Sequence, residues 1–202
     1  MSLFRKIFGS KNKTAQEHVN YEASGKYMPD VKLPIDERFT INFKANGGKF
    51  LYCIDFNEVI ENLGYIIEEN KWKNEKMFLI DNKLKNLFKP VPFNTSKSPK
   101  EATYFLSTCE YLIANDGSLL ISSNQIAEKN LNELPTNLVI FATTSQFVES
   151  ISEGLHGIKT KNKASIPTNI TKIKHFKIGE EHDFLSYGCS SKNLYLLLLE
   201  DL

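Results

Sequence analysis

Cysteine is scarce in this sequence, and its distribution excludes several kinds of site. The three cysteines, Cys53, Cys109 and Cys189, are far apart and form neither a CxxC nor a CxxxC pair. Zinc and iron–sulfur sites that can be recognised in a sequence need closely spaced ligands, so we predict no metal and no intrinsic iron–sulfur centre. The odd number of cysteines also argues against a disulfide framework, and we expect reduced thiols and a cytoplasmic location.

Long apolar runs are missing as well. The longest, residues 194–199, is far shorter than the roughly 20 residues that span a bilayer, and suits a buried strand. The N-terminal sequence MSLFRKIFGSKNK lacks the apolar core and the cleavage site of a secretory signal. Its apolar residues share one helical face, so it could form a weak peripheral contact with a partner or a membrane surface. A frayed terminus that packs loosely on the domain is the interpretation we favour.

Neither sign of charge is in excess. The 25 Lys and Arg residues oppose 24 Asp and Glu residues, and the net charge of +1 disfavours a nucleic-acid partner. With 202 residues, 41% of them hydrophobic, the chain can bury one good core. Polar, irregular sequence punctuated by Gly25, Pro29 and Pro34 precedes the regular patterns. We therefore predict an N-terminal arm over residues 1–34 and a single domain over residues 35–202.

Short apolar runs alternate with amphipathic helical patterns along the predicted domain. We predict helices that begin near Ile35, Asp55 and Asn82, and a short helix over residues 109–113. A further helix is expected after a cap at Ser145, with Leu155 facing inward and Gly157 at its end. Strands are predicted over residues 49–54, 77–80, 104–106, 118–122, 137–142 and 194–199. This alternation is typical of an α/β fold with a mainly parallel sheet and helices on both faces, in which sites lie at the carboxyl ends of strands.

The first candidate site is the turn Asn115, Asp116, Gly117 and Ser118. An Asp-Gly pair permits a tight turn with positive φ and leaves an amide and a carboxylate exposed. Asp116 is the candidate catalytic residue, and the other three are candidate ligand contacts. The turn alone favours a simpler interpretation, a connector whose Asn and Asp side chains hydrogen-bond their own backbone.

Two further segments carry candidate ligand contacts. The hydroxyls of Thr143, Thr144 and Ser145 follow a predicted buried strand, where free amides at a helix start favour a carboxylate or phosphate; capping by Ser145 explains them equally well. Gly188, Cys189 and Ser190 precede the last predicted strand. Cys189 could be a nucleophile only if a base lowered its pKa, and an inert, packed cysteine is the interpretation we favour.

Lysines alternate with apolar residues in the segment TKIKHFKI, residues 171–178. Such a strand could present a basic face to RNA or to a phosphate-bearing ligand. We favour a solvated edge strand, whose lysines discourage aggregation with other edges.

The segments FKANGGKF (residues 43–50), STCEYLIANDGSLLISS (residues 107–123) and LPTNLVIFATTSQFVESISEGL (residues 134–155) resemble the LUD-domain family. This family includes LutC-like lactate utilisation proteins, and the resemblance is strongest to its compact flavobacterial-type members. It implies a fold like the NagB/RpiA superfamily of phosphosugar isomerases and CoA-transferases. It also implies a part in oxidising L-lactate to pyruvate beside iron–sulfur oxidoreductase partners.

The sequence departs from the family's pattern at three places. Asn115-Asp116 stands where a typical member has Glu-Thr, so the usual glutamate is missing. The segment at residues 166–173 loses an arginine of the typical Gly-Pro-Ser-Arg-Thr-Ala-Asp-Ile pattern and has Lys172 in place of its aspartate. Residues 189–191 replace a common His-Gly-Pro. These departures imply a ligand chemistry that has been altered or lost.

Three functions follow from these observations. The first is a component of lactate utilisation without its own redox centre, which binds a small carboxylate or phosphate-bearing ligand and associates with an iron–sulfur partner. The second is a CoA or acyl transferase, or a sugar-phosphate isomerase, with Asp116 as nucleophile or general base. The third is a non-catalytic binding or regulatory module.

Overall fold

The structure, a computed structural model, describes residues 33–176 and 192–201. The chain divides into two compact units, Met1–Leu33 and Pro34–Leu202, and the elements below belong to the second. The arm and its amphipathic turn lie outside the described residues and stay predictions.

The helices are α1 (Ile35–Ala45), α2 (Phe56–Glu69), α3 (Asn82–Leu87), α4 (Ser123–Ile126) and α5 (Ile151–Lys161). The strands are β1 (Lys49–Cys53), β2 (Lys76–Phe78), β3 (Asn94–Ser96), β4 (Tyr104–Thr108), β5 (Tyr111–Ile113), β6 (Ser118–Ile121), β7 (Asn137–Thr143), β8 (Phe147–Val148), β9 (Thr171–Ile173) and β10 (Asn193–Leu199).

Six of these strands form a parallel sheet in the order β1-β10-β7-β4-β2-β3. The last strand in the chain lies inside the sheet, where all seven residues of β10 pair with all seven of β7. A strand that is paired on both edges and covered on both faces needs an almost continuous apolar sequence. The run NLYLLLL supplies it, and its length was predicted to within one residue.

Alternate residues of β10 face two separate cores. Leu194, Leu196 and Leu198 are fully buried on the side that also holds Phe39 and Phe43 of α1. Tyr195 and Leu197 are buried on the opposite side. Burying a leucine contributes about 1.5–3 kcal/mol, so both cores stabilise the strand. The predicted fold class, a mainly parallel sheet with helices on both faces, is confirmed.

The helix α2 covers the second core. It begins after Asp55, whose carboxylate accepts from the Glu58 amide at 3.0 Å, while the Glu58 carboxylate accepts from the Ile54 amide at 2.7 Å. The cap satisfies the Glu58 amide, which the first turn of a helix leaves unpaired, and the Ile54 amide just before the helix. The buried stripe consists of Val59, Leu63, Ile66 and Ile67. The predicted helix after Asp55 is confirmed.

The other strands form a second sheet in the order β8-β5-β6-β9, with β5–β6 and β6–β9 antiparallel. The prediction of a helix over residues 109–113 is therefore wrong, because Tyr111–Ile113 is a strand that pairs with β6 across the turn at residues 114–117. A short apolar run carries no periodicity that separates a strand from a helix. Pairing with β6 stabilises the strand conformation of residues 111–113, since Leu112 and Leu119 face each other and are fully buried.

The segment after β7 also differs from the prediction. Residues Thr144–Gln146 form a 3-10 turn, β8 follows, and α5 begins at Ile151 behind a cap at Ser150 rather than at Ser145. Leu155 is 42% exposed, so it does not face inward as predicted. Gly157 does not end the helix, which continues to Lys161, and a Cβ there would overlap the Tyr111 hydroxyl. The glycine therefore permits close packing of α5 on the second sheet.

The proline-containing segment at residues 89–99 contains the edge strand β3. No helix among residues 33–176 and 192–201 is both long enough and apolar enough to span a membrane.

Candidate functional site

The turn at residues 114–117 connects β5 to β6 and is bound to α1. Gly117 has φ +66°, the left-handed conformation that the Asp-Gly pair predicts. Asn42 donates its side-chain amide to the Ala114 carbonyl at 2.8 Å, and Asn46 donates to the Asp116 carbonyl at 2.7 Å. These bonds satisfy backbone carbonyls that a tight turn leaves unpaired.

The side chain of Asn115 is exposed and contacts a charged pair. Its Oδ1 accepts from Arg38 Nη1 at 2.8 Å, and the same guanidinium donates to the Glu149 carboxylate. Arg38 thus joins α1 to the turn and to the segment after β8. Asn115 was predicted as a ligand contact; it lies in a network that holds the hairpin against α1.

Both carboxylate oxygens of Asp116 have partners. Oδ1 accepts from the amide of Ser118 at 3.1 Å and from the Ser118 hydroxyl, and Oδ2 accepts from Lys172 Nζ at 3.3 Å. Partial burial raises the pKa of Asp116, but the hydrogen bonds from Ser118 and the Lys172 ammonium outweigh it and leave the pKa below its ordinary value. A carboxylate with a lowered pKa is a weak general base near neutral pH.

The turn after β7 already binds a carboxylate from the same chain. Asp201, just beyond β10, accepts from the Ser145 amide at 2.9 Å, from the Ser145 hydroxyl at 2.6 Å and from the Thr144 hydroxyl at 2.7 Å. Partial burial raises the pKa of Asp201, while the bonds from Ser145, Thr144 and Thr143 lower it to a net value of about 2. The donors of Thr144 and Ser145 are thus bonded to a carboxylate of the same chain, Asp201.

The predicted site residues do not all converge. The carboxylate of Asp116 is bonded within the hairpin and to β9, whereas Thr144 and Ser145 are bonded to Asp201 at the carboxyl end of the parallel sheet. Gly188, Cys189 and Ser190 lie outside the described residues. Ligand binding by any of these residues stays a prediction.

A cleft of about 640 Å³ opens beside β9, and we call it the β9 cleft. One wall is the strand and the residues that follow it; the other is the 3-10 turn Leu131–Glu133. Lys172 lines this cleft and also contacts Asp116, so it connects the cleft to the turn. Eight of its ten lining residues are polar or charged, although apolar atoms form most of the lining surface: Asn130, Asn132, Glu133, Asn169, Thr171, Lys172, Lys174 and His175, with Leu131 and Ile173.

This cleft was not among the predicted sites. The lysines of residues 171–178 were predicted to lie on a solvated edge strand, and β9 is the last strand of the second sheet. The sequence signal for the cleft is the cluster of Lys172, Lys174 and His175 close to Asn169. In the structure Asn169 has φ +49°, and its side-chain amide donates to the Lys129 carbonyl at 2.9 Å. That bond ties the start of β9 to the opposite wall.

A model of the LUD domain matches residues 37–192. The chain belongs to the LUD-domain family. A solved structure, a DUF162 family protein from Deinococcus radiodurans, is similar to the fold with a TM-score of 0.58 and 13% sequence identity, over 82% of this chain and 96% of that chain. No curated protein matches the chain. At this identity the likeness supports the fold alone, and the wider placement among phosphosugar isomerases and CoA-transferases stays a prediction.

Asp116 and Lys172 stand at two of the positions where the sequence differs from the pattern expected from the resemblance, and their side chains form an ion pair 3.3 Å apart. In this LUD domain the pair connects β9 to the turn between β5 and β6.

The two described cysteines of this LUD domain are structural. Burial raises the pKa of the Cys53 thiol to about 11, despite a hydrogen bond from Asn62 that lowers it, and burial raises the pKa of Cys109 further. The two thiols lie in the cores on opposite faces of the parallel sheet. Among the described residues, no group of three or more His, Cys, Asp or Glu side chains is placed to hold a metal ion.

Proposed function

We propose that this LUD-domain protein is a cytoplasmic component of lactate utilisation that binds a small carboxylate or phosphate-bearing ligand and has no redox centre of its own. The observation that carries the proposal is the family match over residues 37–192, which includes both the Asp116 turn and the β9 cleft. The ordered residues around these features supply cations and amides, the groups that bind small anions.

Oxidation of L-lactate to pyruvate removes two electrons and two protons, and an acceptor has to take them. Cys53 and Cys109 lie in separate cores with the sheet between them, and burial keeps both thiols protonated at neutral pH. They are therefore not suited to share a cluster, whose ligands are thiolates. This arrangement supports an iron–sulfur oxidoreductase partner as the electron acceptor.

The contacts of Asp116 argue against catalysis by this residue. A transferase or isomerase would need a carboxylate that is free to attack or to take a proton. Asp116 is instead held by Ser118 and Lys172, and its pKa is lowered. The proposed component therefore positions a ligand, and the chemistry of oxidation belongs to the partner.

A non-catalytic regulatory module is the second candidate, and the contacts of Asp201 favour it. This carboxylate takes the donors of Thr144 and Ser145 at the carboxyl ends of β7 and β10, the edge where α/β domains commonly bind ligands. The two candidates differ in whether lactate metabolism needs the protein at all.

Deleting the gene for this protein is expected to slow growth on L-lactate as the sole carbon source, because the partner would lose the component that positions its ligand. Growth on glucose serves as the control, and the wild-type gene supplied on a plasmid is expected to restore growth on L-lactate. The tagged, full-length protein is expected to co-purify with an iron–sulfur oxidoreductase. Unchanged growth of the deletion strain on L-lactate would exclude the lactate role.

A further inference from the structure

We infer that the β9 cleft is a binding site for a small monocarboxylate, with Lys172 and Lys174 as its cationic contacts. The choice of a carboxylate rests on the proposed function, whereas the location rests on the geometry of the cleft alone. A volume of about 640 Å³ is ample for a small organic acid together with bridging water.

The walls of the cleft provide hydrogen-bonding groups besides the two lysines. Within the described residues β9 pairs only with β6, through Thr171, Lys172 and Ile173, and the same three residues line the cleft. An edge strand presents backbone amides and carbonyls that can bind a ligand. The side chains of Asn169 and Asn132 add amides that can donate to a carboxylate or accept from a hydroxyl.

Charge selects a monoanion over a dianion. Lys172 and Lys174 line the cleft with one acidic residue, Glu133, whose Oε2 accepts from the Asn130 amide at 2.7 Å. Asp116, 3.3 Å from the Lys172 ammonium, offsets part of the remaining positive charge, so the cleft is only weakly cationic. Inorganic phosphate, which is partly a dianion at neutral pH, loses more hydration on binding than a monocarboxylate does, and a weakly cationic cleft therefore favours the monocarboxylate.

Asp116 competes with the ligand for Lys172. The ammonium is 3.3 Å from the Asp116 carboxylate, and the lysine side chain is 39% exposed, so a ligand in the cleft can reach it. Each carboxylate that approaches Lys172 weakens the hold of the other, because the two negative charges repel. Asp116 consequently lowers the affinity of the cleft for anions, opposite to the role of a catalytic or ligand-binding carboxylate.

Calorimetric titration of the purified full-length protein tests the inference with three probes: L-lactate, its neutral analogue lactamide, and inorganic phosphate. L-lactate is expected to bind more tightly than phosphate, and lactamide is expected not to bind. In NMR spectra, L-lactate is expected to shift the amides of residues 130–133 and 171–175. Phosphate binding more tightly than L-lactate would overturn the ligand class, and shifts confined to other residues would overturn the location.

Removing a lysine charge and removing the Asp116 charge are expected to change the affinity for L-lactate in opposite directions. Lys172→Met and Lys174→Met are each expected to weaken L-lactate binding about tenfold, and Asp116→Asn to strengthen it about three- to tenfold, as expected for partly exposed charges. The exposed pair Lys76–Glu101, 3.2 Å apart, provides matched controls, since Lys76→Met and Glu101→Gln remove the same charges outside the cleft. Weaker binding by Asp116→Asn, or unchanged binding by Lys172→Met, would overturn the inference.

The failure of this inference and that of the proposed function are distinguishable. L-lactate binding in the cleft by a protein whose deletion leaves growth on L-lactate unchanged would contradict the proposed function alone. A growth defect without any L-lactate binding by the purified protein would contradict the cleft assignment alone.

Discussion

Replacing Gly117 by alanine is expected to lower the free energy of unfolding by about 3–5 kcal/mol, among the largest effects of a single substitution. Gly117 has φ +66°, and a Cβ on it would overlap the backbone of Asn42 and Phe43 in α1. Helix backbone atoms cannot move aside as the end of a flexible side chain can. The variant has to separate the hairpin from α1, and Phe43 is fully buried at that contact.

Gly64→Ala is the matched control for this prediction. Gly64 lies inside α2, and a Cβ there would meet nothing within 4 Å. Alanine favours a helix interior over glycine, so we expect a gain of about 0.5–1 kcal/mol. Urea unfolding of both variants measures the two effects. A loss at Gly117 no larger than 1 kcal/mol would contradict the close contact between the hairpin and α1.

Lys192 is expected to make the stability of the protein depend on pH. Its side chain is 3% exposed, and Nζ donates to the carbonyls of Leu134 at 2.9 Å and Pro135 at 3.2 Å. Burial disfavours the charged form and lowers its pKa from 10.5 to about 8. Between these values the unfolded chain binds more protons than the folded one, so the free energy of unfolding rises with pH, by about 3 kcal/mol at most.

The Lys192→Met variant isolates this contribution. Below pH 8 the lysine is charged in both states, and the difference in stability between wild type and variant is expected to be constant. From pH 8 to 10.5 the difference is expected to change by about 3 kcal/mol in favour of the wild type. Lys76→Met, which removes an exposed lysine, should show no such change. A difference that stays constant over this range would mean that Lys192 has an ordinary pKa.

The elements that the sequence predicted well are those with a long or periodic pattern. The stripe of Val59, Leu63 and Ile66 recurs at the helical period over 14 residues, and the apolar run in β10 fills a central strand. The residues 111–113 and 147–148 are too short to show any period. Besides the hairpin of β5 with β6, the two segments pair with each other at Leu112↔Phe147 and Ile113↔Val148, and this long-range contact leaves no local signal.

The candidate site could be predicted only in part, because a sequence shows local patterns and not long-range contacts. The Asp-Gly pair correctly indicated a turn with positive φ, whereas ligand binding by the hydroxyls after β7 stays a prediction, since they bond Asp201 of the same chain. Neither pattern could show that Asp201, more than 50 residues further along, is the anion, or that Lys172 is bonded to Asp116. Those contacts arise only when β10 pairs with β7 and β9 pairs with β6.

The most direct test supplies variant genes to the deletion strain and measures growth on L-lactate. It tests the claim that this LUD domain positions a ligand and does not catalyse through Asp116. Asp116→Asn is expected to restore growth as well as the wild type does, because the cleft keeps both lysines and loses only a competing charge. Lys172→Met is expected to restore it poorly. A strain that grows with Lys172→Met and fails with Asp116→Asn would contradict the account.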